Sequence, residues 1–424
     1  MDRYCRWLFN AFLFLVTTIV SGQDTIPERI GRETLSFAHV DEVYSQILQE
    51  NRRIWVHLPA NYLMGYDRGM QYPVLFILDA SSHFTAMAAM ASQLGEEMFW
   101  PKMIVIGIES TDRMRDLTPS RIHRLEDMPE TYLKNTGGAS DFLKFITEEL
   151  IPYVENHYPA TSYRSLLGHS LGGLFTTYAM HTANQAFRNY IAIDPSYWWD
   201  NNYLIKQLDP YKNCPLNTDT EFYLAAANTL PEGTDLMAVE NDRSNRTAHF
   251  RAITAYAEYL EKNGCGKDQF HYRFYQDNSH ANISIPAFYD AFSRIFDFYN
   301  IDPVLKQFDP EILHNISTQR FLRAFRNHYK NISRELGYEV LPEEDLISSM
   351  GYRSLELEDF EKAEALFRFN ITNFPESSRA YDSMGDFFLA TDRPYHAEKY
   401  YLKAVTLDRN PISMQKLHFL KRKQ

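Results

Sequence analysis

The sequence predicts an α/β fold: a mostly parallel central sheet covered by helices, followed by an all-α helical repeat region. Three observations carry this reading. Continuous apolar runs of strand length recur at Tyr72 to Leu78, Met103 to Ile108, Tyr190 to Ile193 and Glu221 to Ala227, the pattern of strands buried on both faces of a parallel sheet. Another apolar run passes through Gly168-His169-Ser170-Leu171-Gly172 into a helical pattern, a strand, a sharp turn and a helix in immediate succession. Near the C-terminus, Met350-Gly351 recurs as Met384-Gly385, Ala363-Glu364 as Ala397-Glu398 and Phe367 as Tyr401, each at an offset of 34 residues.

A chain of 424 residues has room for two or three units. The reading divides it into a leader at 1–22, a sheet-containing domain at 32–300, a helical connector at 301–341 and two repeats at 344–411. The formal charge is −12 and the basic residues are scattered, which argues against a nucleic-acid partner. Arg3 and Arg6, an apolar run from Trp7 to Val20 and then Ser21-Gly22 form the layout of a cleaved signal peptide. The run falls short of the roughly 20 apolar residues a spanning helix needs. The expectation is therefore an exported protein, periplasmic or secreted, with no membrane span after cleavage. Cys5 leaves with the leader, and Cys214 and Cys265 could form one disulfide in an oxidising compartment. They lack metal-ligand spacing, and no metal or cofactor is expected.

Taken in order, residues 32–58 suggest antiparallel strands, ending in the alternating stretch Arg52 to Leu58. The run Tyr72 to Leu78 leads through Asp79-Ala80-Ser81-Ser82 into an Ala- and Met-rich helix. Backbone N–H groups of Ala80 or Ser81 there could hold an oxyanion jointly with Leu171, or Ser81 or Ser82 could simply cap the helix. After Ile108 comes a charged loop in which Arg113 and Arg115 either bind an acidic substrate group or pair with Asp112 and Asp116. A helix expected to be capped at Ser140 precedes the elbow strand. The run Tyr190 to Ile193 ends in Asp194-Pro195-Ser196-Tyr197-Trp198-Trp199, and tryptophans at the tip of a strand beside the elbow should line a substrate pocket.

The elbow is the chemical centre. Glycines flank Ser170 because strand and helix nearly touch there, and the serine lies at a helix N-terminus, where N–H groups favour a developing negative charge. His280 follows the last strand, Phe270 to Tyr275, in a polar loop, giving the order serine, acid, histidine of an α/β-hydrolase. The acid is expected in the loop after Glu221 to Asn228, which offers Glu232, Asp235, Glu240 and Asp242. Glu232 and Asp242 are the leading candidates, Asp242 doubling as a helix cap, and a Ser–His dyad without an acid stays open.

The blocks Glu50-Asn51-Arg52-Arg53, Tyr72-Pro73-Val74-Leu75, Arg113 to Pro119, Gly168 to Gly173 and Pro195 to Asp200, in this order, resemble the putative-esterase family of α/β-hydrolases, which includes esterase D-like enzymes and the enterobactin and bacillibactin siderophore esterases. The resemblance covers about residues 32 to 300. It implies metal-free hydrolysis of a carboxylic ester, with Ser170 as nucleophile and His280 as base. The chain departs from it at Asp194, where relatives often carry a small residue, and at 228–242, where the usual strand-end acid is not evident. The repeats fit the tetratricopeptide pattern and offer either a protein-binding groove or a structural cap. The expected partner is thus a small-molecule ester (siderophore, feruloyl or acetyl sugar, or small thioester). A catalytically silent or acyl-transferring protein working through its repeats is the alternative.

Overall fold

The computed structural model describes residues 36–424 apart from 61, 63–69, 126–127, 184, 209–213, 215, 235, 240, 267, 307–316, 410 and 424. The expected leader at 1–22 lies outside the described residues, as do Asp235 and Glu240. Eight strands form one sheet: β1 (His39–Ser45), β2 (Glu50–His57), β3 (Tyr72–Leu78), β4 (Ile104–Ile108), β5 (Ala160–His169), β6 (Asn189–Ile193), β7 (Glu221–Ala227) and β8 (Phe270–Tyr275), in the spatial order β1-β2-β4-β3-β5-β6-β7-β8. β1, β2 and β4 pair antiparallel; every pairing from β4 through β8 is parallel. The sequence patterns match these positions. β3, β4 and β6 are buried at every residue, whereas the edge strand β1 alternates exposed and half-buried positions.

Alternate residues of each strand feed two cores. On one face Val74, Phe76, Ile106 and Leu166 pack against α2 (Leu171–Thr182), α3 (Ala248–Lys262) and the helical run 139–157. Ser140 does not cap that run; Gly138 occupies the cap position and Ser140 lies inside the first turn. On the other face Leu75, Ile77, Val105 and Ile191 pack against α1 (Ala80–Glu96) and α4 (Ser284–Ile295).

This second core continues into the C-terminal helices. Phe321, Phe325 and Ile332 of α5 (Thr318–Leu336), Ile347 and Met350 of α6 (Glu344–Glu356) and Leu366 and Phe369 of α7 (Phe360–Asn373) belong to it. Helix α5 therefore presents one apolar stripe that joins the sheet domain to the first helix pair. The next pair, α8 (Ser378–Ala390) and α9 (Pro394–Asp408), and α10 (Pro411–Lys423) close a third core around Met384, Phe387, Tyr401 and Leu420. The 34-residue offset has a steric cause. A Cβ on Gly351 would come within 2.5 Å of the Phe367 ring, and one on Gly385 within 2.5 Å of the Tyr401 ring. Each glycine lets an aromatic of the following helix lie against its backbone.

Two covalent or ionic devices hold the connecting segments. Arg52, with no exposed surface, donates to Asp116 at 2.7 Å and Glu50 at 2.8 Å and lies 5.1 Å from the Phe142 ring centroid, which ties loop 109–119 to β2. Cys214 and Cys265 are joined as a disulfide, stapling the segment before β7 to the segment before β8. It closes a loop of 51 residues, for which chain entropy gives an upper figure of about 4 kcal/mol. The Cys214→Ser, Cys265→Ser double variant should therefore unfold at clearly lower urea concentration than the oxidised parent. A reductant should abolish the difference between the two.

Candidate active site

Strand β5 ends and α2 begins at Ser170, whose backbone is left-handed at φ 60°, ψ −118°. Such a conformation costs a non-glycine residue about 1–3 kcal/mol, and the surrounding packing enforces it. Gly168 cannot be larger, because its Cβ would lie 2.2 Å from the backbone of Gly172. Ser170 N–H donates to Ile193 O at 3.0 Å, and Ser196 N–H donates to Ser170 O at 3.0 Å, so the turn is held by the end of β6. Leu171 is the first residue of α2 and Ala80 and Ser81 the first of α1; none of their N–H groups has an acceptor within its own helix. The two helix starts adjoin, since a Cβ on Gly172 would lie 3.5 Å from both Leu78 Cβ and Asp79 Oδ2.

The carboxylate facing His280 is Asp194. This residue follows the last residue of β6, in a left-handed conformation at φ 42°, with no exposed side-chain surface. Its Oδ1 accepts from Ala227 N–H at 2.8 Å, at the end of β7. Its Oδ2 accepts from His280 Nδ1 at 2.5 Å and from His249 Nε2 at 3.0 Å. Burial pushes this carboxyl up, but the hydrogen bonds from His249 and His280, with that from Ala227, outweigh it and hold Asp194 well below the usual carboxylate range. An ionised carboxylate only accepts, so His280 carries its proton on Nδ1 and leaves Nε2 with a lone pair. Of the acids expected in the sequence, Glu232 is exposed. Asp242 spends its oxygens on Ser244 N–H, Ser244 Oγ and Thr247 Oγ1, an Asx-type turn before α3. The carboxylate in contact with His280 thus comes from the end of β6 and not from the loop after β7.

Ser170 and His280 share this edge of the sheet. His169, which precedes Ser170, donates from Nε2 to His280 O at 2.9 Å, and the two rings are 4.5 Å apart between centroids. Among the described residues, Ser170 Oγ is hydrogen-bonded to Ser196 Oγ at 3.2 Å and not to His280. Catalytic contacts of this kind commonly tighten only when substrate is bound.

The other expected residues divide. Arg113 lies beside the elbow. Its Nε contacts both Asp79 oxygens at 3.0 Å, its Nη2 reaches His169 O at 3.5 Å, and about a third of its side chain is exposed. Arg115 is instead committed to Glu50 at 2.6 Å and Asp116 at 2.7 Å, in the Arg52 network. Trp198 is half-buried, whereas Trp199 is buried in the core with its indole N–H on Ser120 Oγ at 3.1 Å. Arg115 and Trp199 are therefore framework: Arg115 takes the ion-pair role with Asp116, and Trp198 and Trp199, consecutive in a turn, point to opposite sides so that only one can face the crevice.

Burial, aided by the neighbouring His280 and His83 rings, lowers the pKa of His169 to about 4. Burial alone does the same for His181, which sits on the Tyr256 hydroxyl at 2.6 Å. The unfolded chain takes up these protons near 6.5, the folded chain only near 4. The neutral rings are thus at no disadvantage above 6.5, and stability falls as pH drops from 6.5 toward 4. At pH 5 each costs about 2 kcal/mol. Urea midpoints at pH 8 and pH 5 should differ accordingly, and replacing His181 by Gln should shrink the gap.

A strand-elbow serine, a histidine from the loop after the last strand and a buried aspartate at a neighbouring strand end, all on the carboxyl edge of a mostly parallel sheet, define an α/β-hydrolase. The family model described as "Putative esterase" matches residues 45–281, more than half of the chain, and the chain belongs to that family. It is 34% identical over 165 residues to the ferri-bacillibactin esterase BesA of Bacillus subtilis, covering 34% of this chain and 57% of that protein. It is 36% identical over 121 residues to the siderophore enterobactin esterase of Emericella nidulans, covering 25% of this chain and 39% of the relative. The matched region thus spans about half the length of these curated relatives. Among solved structures, the IroE-like serine hydrolase of Shewanella oneidensis superposes with a TM-score of 0.60 at 25% identity, over 80% of this chain and 99% of that one. An uncharacterised protein of Capnocytophaga ochracea shares the fold at a TM-score of 0.57 and 16% identity, over 91% of this chain.

Proposed function

We propose that the chain is a serine esterase that opens the ester bonds of a siderophore. The observation that carries the reading is the Asp194–His280 pair, 2.5 Å apart, on the strand end next to a left-handed elbow serine. In this mechanism His280 Nε2 takes the Ser170 proton as Oγ attacks the ester carbonyl. The tetrahedral oxyanion is held by the N–H of Leu171 and that of Ala80 or Ser81, the alcohol leaves with the proton from His280, and water activated by the same imidazole releases the acid from the acyl-enzyme. Asp194 fixes the tautomer and faces the imidazolium that forms. Arg113, next to the elbow and partly exposed, is placed to meet an anionic part of the substrate. Trp198, half-buried in the segment after β6, would offer it an apolar wall.

The siderophore class is favoured over sugar esters and thioesters by what the relatives are called, ferri-bacillibactin and enterobactin esterases. Export is supported by the Arg3-to-Gly22 leader pattern and by the Cys214–Cys265 disulfide. No helix among the described residues is long and apolar enough to cross a membrane. We read the C-terminal helix pairs as tetratricopeptide-like units that cap the second core. The test is a fluorophosphonate probe followed by peptide mapping, beside hydrolysis of a ferric catecholate trilactone, an acetylated xylan and an acyl thioester. Label on Ser170 and preferential trilactone cleavage are expected. An unlabelled Ser170 in folded protein would remove it as nucleophile, and a preference for xylan or thioester would move the substrate class.

A further inference from the structure

A triad acid needs one histidine, yet Asp194 holds two. His249 lies on α3, away from the elbow, and its Nε2 meets the same Oδ2 at 3.0 Å that His280 Nδ1 meets at 2.5 Å. Among the described residues, Asp194, His249 and His280 form a group whose carboxylate oxygen and ring nitrogens all lie within 4.8 Å of one another. The carboxylate has no exposed side-chain surface, His249 is 19% exposed and His280 42% exposed, so the group opens to solvent on the His280 side. Two imidazole nitrogens and one carboxylate oxygen suit zinc-like divalent ions and disfavour magnesium and calcium, which prefer all-oxygen shells. Ligands about 2.0–2.2 Å from a tetrahedral zinc lie about 3.3 Å apart. The two carboxylate sides of the present triangle, 2.5 and 3.0 Å, must therefore open by less than about 1 Å, and the side between the ring nitrogens, at most 4.8 Å, must come to the same length, adjustments that fall to His280 because it comes from a loop.

We propose that Asp194, His249 and His280 form an inhibitory site for a divalent transition ion of the zinc type. Three bonds form, from the metal to Asp194 Oδ2, His249 Nε2 and His280 Nδ1, and five of the six waters of the hydrated ion leave while one stays as the fourth ligand. Each neutral imidazole keeps its proton by moving it to the other ring nitrogen, His280 to Nε2 and His249 to Nδ1, so no net proton is released. His280 Nε2 then bears hydrogen where the serine proton must arrive, and the base is gone. The metal site itself rests on geometry alone, and only its inhibitory effect rests on the esterase reading.

The experiment titrates Zn2+ into the disulfide-bonded chain by calorimetry, and separately follows fluorophosphonate labelling and ester turnover with and without Zn2+. One site is expected, weakened by about 100-fold or more in His249→Gln, since loss of even an outer-shell partner costs 10–100-fold. Glutamine keeps a donor for Asp194 but has no ring nitrogen, and His249→Ala serves as a second variant if glutamine disturbs folding. Zinc that silences the parent, reversibly by EDTA, should leave each variant at its own zinc-free rate. Equal zinc isotherms for parent and variants, or no zinc uptake by a parent that still hydrolyses esters, would overturn the site and leave the esterase reading standing. Zinc bound through His249 with undiminished labelling would overturn the inhibition. An inactive parent that still binds zinc through His249 would uphold the site while removing the esterase reading.

Discussion

Replacing Ser170 by alanine should lower turnover of a p-nitrophenyl ester by about 10⁶-fold, the loss seen when the nucleophile of a serine hydrolase triad is removed. In the proposed mechanism the Ser170 hydroxyl forms the acyl bond, and the Ser196 hydroxyl 3.2 Å away lacks the elbow position at the start of α2. The helix-start N–H groups of Leu171, Ala80 and Ser81 survive the substitution, so a residual rate about 10³-fold above that of water is expected. Thermal stability should hardly change, because the elbow is held by the backbone bonds Ser170 N–H to Ile193 O and Ser196 N–H to Ser170 O, neither of which uses the side chain. Ser170→Gly should instead raise the melting temperature, since glycine adopts φ 60° without the strain. Steady-state rates with calorimetric melting of both variants separate a chemical loss from a folding loss. Parent-like turnover in folded Ser170→Ala would remove this residue from the chemistry.

Most of the sheet was legible because its central strands are buried on both faces, and burial writes uninterrupted apolar runs into a sequence. The elbow was legible for a related reason: a Cβ at position 168 would come within 2.2 Å of the Gly172 backbone, which leaves glycine as the sole solution. The 34-residue offset has a visible counterpart, because the Gly351–Phe367 and Gly385–Tyr401 contacts impose the same small-large spacing twice. Long-range partnership was not legible. His280 and Asp194 are 86 residues apart and meet because β6 and β7 lie side by side with β8 next in order. The local pattern places an acid at several strand ends with equal ease. The signal was nonetheless present in one place, a carboxylate directly after the apolar strand 189–193 where small residues would suit the turn. His249 was harder still, since a histidine inside an amphipathic helix reads as half-solvated surface. Trp199 was misplaced for want of direction: sequence names neighbours in a turn but not which of two adjacent side chains faces the crevice, whereas Arg115 took the ion-pair role with Asp116 that the sequence also offered.

Asp194→Asn should cost about 10⁴-fold in kcat while leaving KM within a few-fold, by analogy of role with the buried aspartate of other triads. The amide still accepts from Ala227 N–H through one oxygen, so the strand end keeps its anchor. Where Oδ2 stood, an NH2 group now faces the nitrogens of His249 and His280. Donor meets donor at 2.5 Å and 3.0 Å, and the relief is for His280 to shift its proton from Nδ1 to Nε2. That tautomer can accept from the asparagine but no longer from Ser170, so the loss falls on proton transfer and not on binding. Raising pH should recover part of the rate, as hydroxide replaces the missing base, which a purely structural defect would not allow. Asp242→Asn and Glu232→Gln supply the contrast, for both side chains lie outside the Asp194–His280 contact; rates within a factor of about two of the parent are expected. If instead Asp194→Asn were folded and fully active while one of the other two variants lost several orders of magnitude, the orienting acid would lie in the loop after β7 and the contact in the structure would be incidental.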